Sequence, residues 1–178
     1  MLANSDAVFT TVRELVSDRT PVLQPLGNPD DVFVRPDSAL KPFAGRQLAT
    51  SALSLAALDH GFYYDDESLP VIVSTAKQVM REWRFVVADG VVVAGCADHP
   101  TRQGHAGAVP PEATLLAERV AAHEWQAALA YVVDVGEVDG VLRVMELNPF
   151  AGADLYECDA RAVVDSVSSV ALRLHAQR

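Results

Sequence analysis

Residues 131–150 read YVVDVGEVDGVLRVMELNPF, and the fold turns on how this stretch pairs with itself. Two apolar runs flank Glu137-Val138-Asp139-Gly140. Asp-Gly between strand-like runs predicts a β-hairpin, because glycine accepts the positive φ that a tight turn needs. Strand side chains alternate faces with a period of two, so Glu146 and Asn148 leave the sheet on the same side. A turn centred near Asp139-Gly140 brings Asp134 opposite Glu146 or within about one residue of it. Two carboxylates and an amide oxygen then converge. Like charges on an apolar sheet repel and lose hydration, and a hard divalent cation removes that conflict. Oxygen-only ligands suit Mg2+ or Mn2+ better than Zn2+. The competing reading of the hairpin alone is a solvated one whose polar residues merely alternate with Val, Leu and Met.

The chain has 178 residues, half of them hydrophobic and 21% charged, enough for one domain or two small lobes with a sizeable core. A formal net charge of −10 and a pI near 4.8 oppose general attraction to nucleic acid or an anionic membrane surface. An anionic ligand must therefore be held by a local basic cluster. Cys96 and Cys158 are the two cysteines, expected as reduced thiols rather than a disulfide. With no leader-like N-terminus and no apolar run of membrane-spanning length, a cytoplasmic protein is expected.

Along the chain, AVFTTVRELV (7–16) has helical spacing with Ser5 or Asp6 as N-cap, and residues 21–27 are expected to be extended. DVFVR (31–35) alternates as a strand that ends at Pro36, and 36–45 is a loop with two prolines, a glycine and a lysine. QLATSALSLAAL (47–58) is predicted helical, Asp65-Asp66-Glu67 a solvated turn, and PVIVS (70–74) a strand. REWRFVVA (81–88), Asp89-Gly90 and VVVAGC (91–96) form a second hairpin unit, with Glu82 and Arg84 on one face and Trp83 and Phe85 on the other. Residues 99–109 are expected as a loop, 110–129 as a helix, and 160–175 as a final helix capped by Asp159. Trp83, Phe85 and Trp125 are expected in the core. Cys96, His99 and His105 are too irregularly spaced for zinc, and no Ser has His and Asp partners at triad spacing. The class is α+β, with antiparallel hairpins covered by helices.

Taken together, the loop from Arg35 to Gly45, the Glu82-Trp83-Arg84 strand and the hairpin with Asp134, Glu146 and Asn148 resemble the ATP-grasp family. MELNPF looks like that family's closing motif, and the likeness extends from about Asp31 to about Tyr156. More narrowly, VRPDSALKPFAG followed by REWRFVVADGVVVAG is similar to the clade of ATP-grasp proteins named for an arginine and two lysines. The resemblance implies two α+β lobes with antiparallel sheets and a nucleotide cleft between them: residues 1–20 as a helical lead-in, 21–76 as the N-terminal lobe, and 77–178 as the C-terminal lobe with the metal-binding hairpin.

It also implies roles for particular residues. Asp134, Glu146 and Asn148 would hold the metal. Arg35 stands where many family members have a phosphate-binding lysine, and Lys41 lies in the loop over the phosphates. Ser74, Thr75, Ala76 and Lys77 belong to the hinge that contacts adenine. Glu82 would meet the ribose, and Arg84 would face the triphosphate or acyl phosphate, so that Arg84 and Lys41 are the catalytic cations. Asp154 and Tyr156, just past the metal ligands, are candidate substrate contacts. The hinge lacks the acidic residue often found there, and Val132 stands where several amide ligases keep an arginine.

Phosphoryl transfer is catalysed by positioning and by neutralising charge on phosphate oxygens, and Arg35, Lys41, Lys77 and Arg84 could supply that charge. The implied activity is an ATP- and Mg-dependent carboxylate–amine (amide or peptide) ligase acting through an acylphosphate, with small-molecule or peptide substrates and neither nucleic acid nor membrane as partner. Two alternatives stand beside it. One is a nucleotide-binding module without ligase activity, regulatory or completed by a partner. The other is an oxygen-ligand metalloprotein such as a phosphoesterase. Only about thirty residues precede the strand ending at Arg35, so the expectation includes a homo-oligomer or a partner that supplies a further N-terminal domain.

Overall fold

The chain divides into two units, Asn4–Lys77 and Gln78–Arg178, the latter joined by Met1–Ala3. The computed structural model describes residues 2–38, 40–97 and 108–177. Each unit is built on a four-stranded sheet whose pairings are all antiparallel.

In the first unit, β1 (Val8–Thr11) runs directly into α1 (Val12–Ser17). This corrects the single helix expected over 7–16. Val8, Phe9, Thr10 and Thr11 are residues that favour a pleated strand, and their partner is a strand some sixty positions away, with Val8 opposite Val73. Thr11, rather than Ser5 or Asp6, caps the helix: its hydroxyl accepts from the Glu14 amide at 3.2 Å, and Glu14 Oε2 accepts from the Thr11 amide at 3.1 Å.

The segment expected to be extended over 21–27 is instead a helical turn, α2 (Thr20–Leu23), continued by a 3₁₀ turn at Gln24–Leu26 and closed by Gly27 at φ 81°. Pro21 fits the first turn because it lacks an amide that would go unpaired there. β2 (Asp31–Pro36) follows as expected. Residues 47–58 are not a helix but β3 (Arg46–Ala49) and two 3₁₀ turns. Val32 opposite Leu48 fixes β3 on β2, and hydroxyls then hold the segment out of a helix: Thr50 Oγ1 ties it to Pro29 O at 2.7 Å, and the Ala57 amide donates to Ser54 Oγ at 3.2 Å. β4 (Pro70–Thr75) completes the order β1-β4-β2-β3. One face of this sheet buries Val32, Val34, Val71 and Val73 against Val12, Leu15, Leu23 and Leu58.

In the second unit, β5 (Val79–Ala88) and β6 (Val91–Ala97) form the hairpin expected around Asp89-Gly90. Both turn residues have positive φ, 53° and 74°, the mirror-image turn whose twist matches that of the strands. Most of the loop expected over 99–109, with His99 and His105, lies outside the described residues. The helix expected over 110–129 stops early, as α3 (Pro111–Ala121). Gln126 ends it by donating from Nε2 to Ala121 O at 2.9 Å while its Oε1 accepts from Tyr131 Oη at 3.0 Å. Trp125, past that stop, is 64% exposed and is not a core residue, whereas Trp83 and Phe85 are fully buried.

β7 (Ala130–Val138) and β8 (Val141–Pro149) are the central hairpin, turning at Asp139 and Gly140 with φ 51° and 75°. The last helix, α4 (Ala160–Ala176), is capped as expected by Asp159, which accepts from the amides of Arg161 and Ala162. Sheet order is β6-β5-β7-β8. Trp83, Phe85, Val133 and Val135 fill one face under Ala113, Ala117 and Ala121 of α3, whose small side chains at a spacing of four let helix and sheet approach closely. On the opposite face, Val86 and Val132 pack with Val163 of α4. Among the described residues no helix is long and apolar enough to cross a membrane.

The register of the central hairpin is not uniform. From the turn, Val138 faces Val141 and Val135 faces Val144, but Asp134 faces Glu146. Met145 is the extra residue of a β-bulge. Its side chain lies over Gly136, where a Cβ would come within 2.8 Å of the Met145 thioether.

Candidate functional site

Beyond the part of the second sheet covered by α4, the same face turns polar. Arg84 of β5 lies opposite Asp134 of β7, which lies opposite Glu146 of β8. Arg84, Asp134 and Asn148 are buried, at 8%, 3% and 6% exposure. A buried charge is tolerated only when paired and hydrogen-bonded, and the pairing is two-pronged. Arg84 Nε donates to Asp134 Oδ1 and Arg84 Nη2 to Asp134 Oδ2, both at 2.8 Å. Asn148 Nδ2 donates to the same Oδ2 at 3.0 Å. The third guanidinium nitrogen, Nη1, donates to the Asp154 carbonyl at 2.8 Å. The Tyr156 ring lies 4.5 Å from the Arg84 guanidinium carbon, in cation–π range, and Tyr156 holds φ at 45°, a conformation uncommon for an aromatic residue.

Glu146 is half-buried, as is Glu82, which leaves β5 on the same face as Arg84 and pairs opposite Gly136. The donor chemistry of Asp134, Glu146 and Asn148 is oxygen throughout, which fits a hard cation. A cation there would meet Arg84 first, because the guanidinium already bonds both Asp134 oxygens. Sequence reasoning sent Arg84 toward a phosphate; here it is the charge partner of an expected metal ligand. Asp154 contributes its main-chain carbonyl, and its side chain is exposed.

The first unit holds the remaining expected residues. Ser74 is fully buried and donates to Asn4 Oδ1 at 3.1 Å. Lys77 Nζ donates to Asp6 Oδ1 at 2.5 Å, to Thr75 Oγ1 at 2.7 Å and to the Thr75 carbonyl at 3.1 Å. Thr75 also donates to Asp6, from its amide at 3.0 Å and its hydroxyl at 2.6 Å. Burial works to raise the Asp6 carboxyl, but the bonds from Lys77 and Thr75 outweigh it and hold the pKa at about 2. Thus Ser74, Thr75, Ala76 and Lys77 form one braced strand end. Asp6, marked in the sequence only as a candidate helix cap, is its keystone.

Arg35 sits on the face of the first sheet that points away from the valine core, as do Ser74 and Phe33, which pair across β2 and β4. Lys41 is exposed in the following loop at φ 43°. That loop returns so closely that a Cβ at Gly45 would meet the Phe33 ring at 2.7 Å and Arg35 Cβ at 3.3 Å. Glycine is what allows the approach.

Comparison with known proteins agrees with this architecture. The family model for an ATP-grasp domain, family 3 of the clade named for an arginine and two lysines, matches residues 5–167. No curated protein matches. Among solved structures, D-alanine–D-alanine ligase from Bacillus anthracis complexed with ATP is similar at a TM-score of 0.62 and 17% identity, covering 99% of this chain and 62% of that one. The ATP-grasp ligase PsnB complexed with a phosphomimetic variant of its minimal precursor, Mg and ADP has a TM-score of 0.55 at 20% identity, covering 96% and 52%. A RimK domain protein ATP-grasp from Sphaerobacter thermophilus has a TM-score of 0.59 at 16% identity, covering 96% and 57%. The chain therefore spans between half and two thirds of the length of these structures.

Proposed function

The chain belongs to family 3 of the ATP-grasp clade named for an arginine and two lysines, and from that premise we propose that it is an ATP- and Mg-dependent carboxylate–amine ligase module. The observation that carries the reading is the alignment of Asp134 with Glu146, two positions before Asn148, on one sheet face beside Arg84. In this reading Asp134, Glu146 and Asn148 hold Mg2+ through oxygen atoms. The ion, when bound, neutralises nucleotide phosphate charge. Arg84, released from Asp134, turns its guanidinium to a phosphate oxygen. Arg35 and Lys41 supply positive charge from the first unit, and Ser74 to Lys77 present backbone groups to the nucleotide. Glu82 accepts from a ribose hydroxyl. The γ-phosphoryl group passes to a substrate carboxylate, giving an acylphosphate and ADP; an amine then attacks the acyl carbon and phosphate leaves. Asp154 and Tyr156 lie next to Arg84, where an acceptor could be contacted. A peptide substrate is in keeping with the PsnB structure, which contains a precursor.

Isothermal titration with a non-hydrolysable ATP analogue, with and without Mg2+, beside Glu146→Gln, tests the site. Mg2+-dependent binding that is lost in the variant is the expected outcome. Equal binding in both proteins overturns the metal assignment, and binding without turnover on any carboxylate–amine pair leaves a nucleotide-binding module.

A further inference from the structure

The proposed chemistry makes no use of the two cysteines, yet the second unit brings them together. Cys96 and Cys158 are 62 residues apart in sequence, and their sulfur atoms are 2.7 Å apart. That is within non-bonded contact and longer than the ~2.05 Å of a disulfide. Both are buried, at 5% and 7% exposure. Cys96 lies on β6 directly opposite Arg84. Cys158 immediately precedes the cap of α4, in the segment whose Asp154 carbonyl and Tyr156 ring contact Arg84. The Cys158 thiol donates toward Cys96, which lowers the pKa of Cys96 and, with burial, raises that of Cys158. Cys96 is therefore the better nucleophile of the two.

We propose that Cys96 and Cys158 are a redox-sensitive thiol pair that closes into an intramolecular disulfide, stapling the 153–158 segment to β6 beside Arg84. With a peroxide as oxidant, the Cys96 thiolate attacks the O–O bond to give a sulfenic acid, and hydroxide leaves. Cys158 sulfur then attacks the sulfenic sulfur, and its proton departs with the hydroxyl as water. Two thiols are oxidised to one disulfide, and one hydrogen peroxide is reduced to two waters. The closed form holds Tyr156 and the Asp154 carbonyl at Arg84 by a covalent bond. The open form holds them by contacts alone.

The test needs no knowledge of nucleotide or substrate. The reduced 178-residue chain is treated with equimolar hydrogen peroxide, unfolded, titrated for free thiols and mapped with trypsin. Expected are the joint loss of both thiols, a mass lower by two hydrogens, and a linkage of peptide 85–102 to peptide 144–161 that a thiol reductant reverses. In the folded oxidised protein, amide exchange over 153–158 slows. Cys158→Ser, with no resolving thiol, should gain oxygen at Cys96 instead of losing hydrogen. Two thiols still titratable after treatment, oxygen gained at each cysteine of the wild type without a link, or a link found only between molecules would overturn the proposal.

Discussion

Replacing Arg84 by Met removes the charge facing Asp134 and leaves a carboxylate whose side chain is only 4% exposed. Asp134 keeps the hydrogen bond from Asn148 but loses two charge-assisted bonds at 2.8 Å, and the Asp154 carbonyl loses its donor. Breaking a buried pair in this one-sided way costs about 3–5 kcal/mol, most of it the burden of an uncompensated charge. With an m-value of about 1–1.5 kcal/mol/M for a unit this size, the urea midpoint should fall by roughly 2–5 M. Both tryptophans, Trp83 and Trp125, lie in the second unit, so selectively excited tryptophan fluorescence follows its unfolding. Arg84→Met/Asp134→Asn deletes the stranded charge and should recover at least half of the loss, a coupling that a double-mutant cycle measures. If the oxygen cluster also takes Mg2+, the ion should stabilise Arg84→Met more than the wild type, because the competing guanidinium is gone. A single-variant loss below about 1 kcal/mol, or losses that simply add in the double variant, would refute the account of Arg84 as the charge partner of Asp134.

Three further outcomes are expected. The Asp6 carboxyl has a folded pKa of about 2, below its ordinary 3.8, so its contribution is complete above pH 4 and is lost as pH falls through 2. Its side chain is about a third exposed, which screens the contribution to about 1 kcal/mol. Acid titration by circular dichroism should be flatter between pH 4 and 2 in Asp6→Asn than in the wild type. Gly95→Ala would put a Cβ 2.8 Å from the Phe85 ring, a rigid buried neighbour, and should cost about 1–3 kcal/mol in chemical denaturation; a neutral result would mean the ring can retreat. Asp159→Ala removes the side-chain acceptor for the Arg161 and Ala162 amides and should cost about 1 kcal/mol, visible as faster amide exchange in the first turn of α4.

What could be read from the sequence follows the range of the interactions involved. Both Asp-Gly hairpins and the Asp159 cap are local, and turn chemistry brought Asp134 to within one residue of Glu146; the bulge at Met145, which no turn signal marks, sets the final register. The strand at Val8–Thr11 was hidden because its partner lies in β4, and helical spacing in AVFTTVRELV carries no information about that partner. Residues 47–58 misled for a related reason: their Ala and Leu suit a helix, but pairing with β2 and the hydroxyls of Thr50 and Ser54 decide otherwise. Trp125 looked like a core residue by type, and only the early end of α3 leaves it in solvent. The candidate residues were nameable from motifs, but their partners were not. Asp6 reaches Lys77 across 71 positions, Cys158 reaches Cys96 across 62, and Arg84 chooses Asp134 across 50.

The bulge at Met145 gives β8 two reading frames. Between the turn and Met145, Leu142 and Val144 face α3; past it the buried phase passes to Leu147, and Glu146 and Asn148 emerge on the other side with Asp134. Insertions and substitutions are therefore unequal here. Lengthening both arms at the Asp139-Gly140 turn by one opposed pair preserves the frame, so the hairpin tip can vary in length while the polar cluster stays intact. Deleting Met145 alone would join Val144 directly to Glu146 and leave both pairs in register, whereas straightening the bulge with Met145 retained, so that it pairs with Asp134, would swing Glu146 and Asn148 into the α3 core and turn Leu147 outward. The chemistry of this face thus stays in phase only while an apolar residue that takes no part in it is bulged out of the ladder.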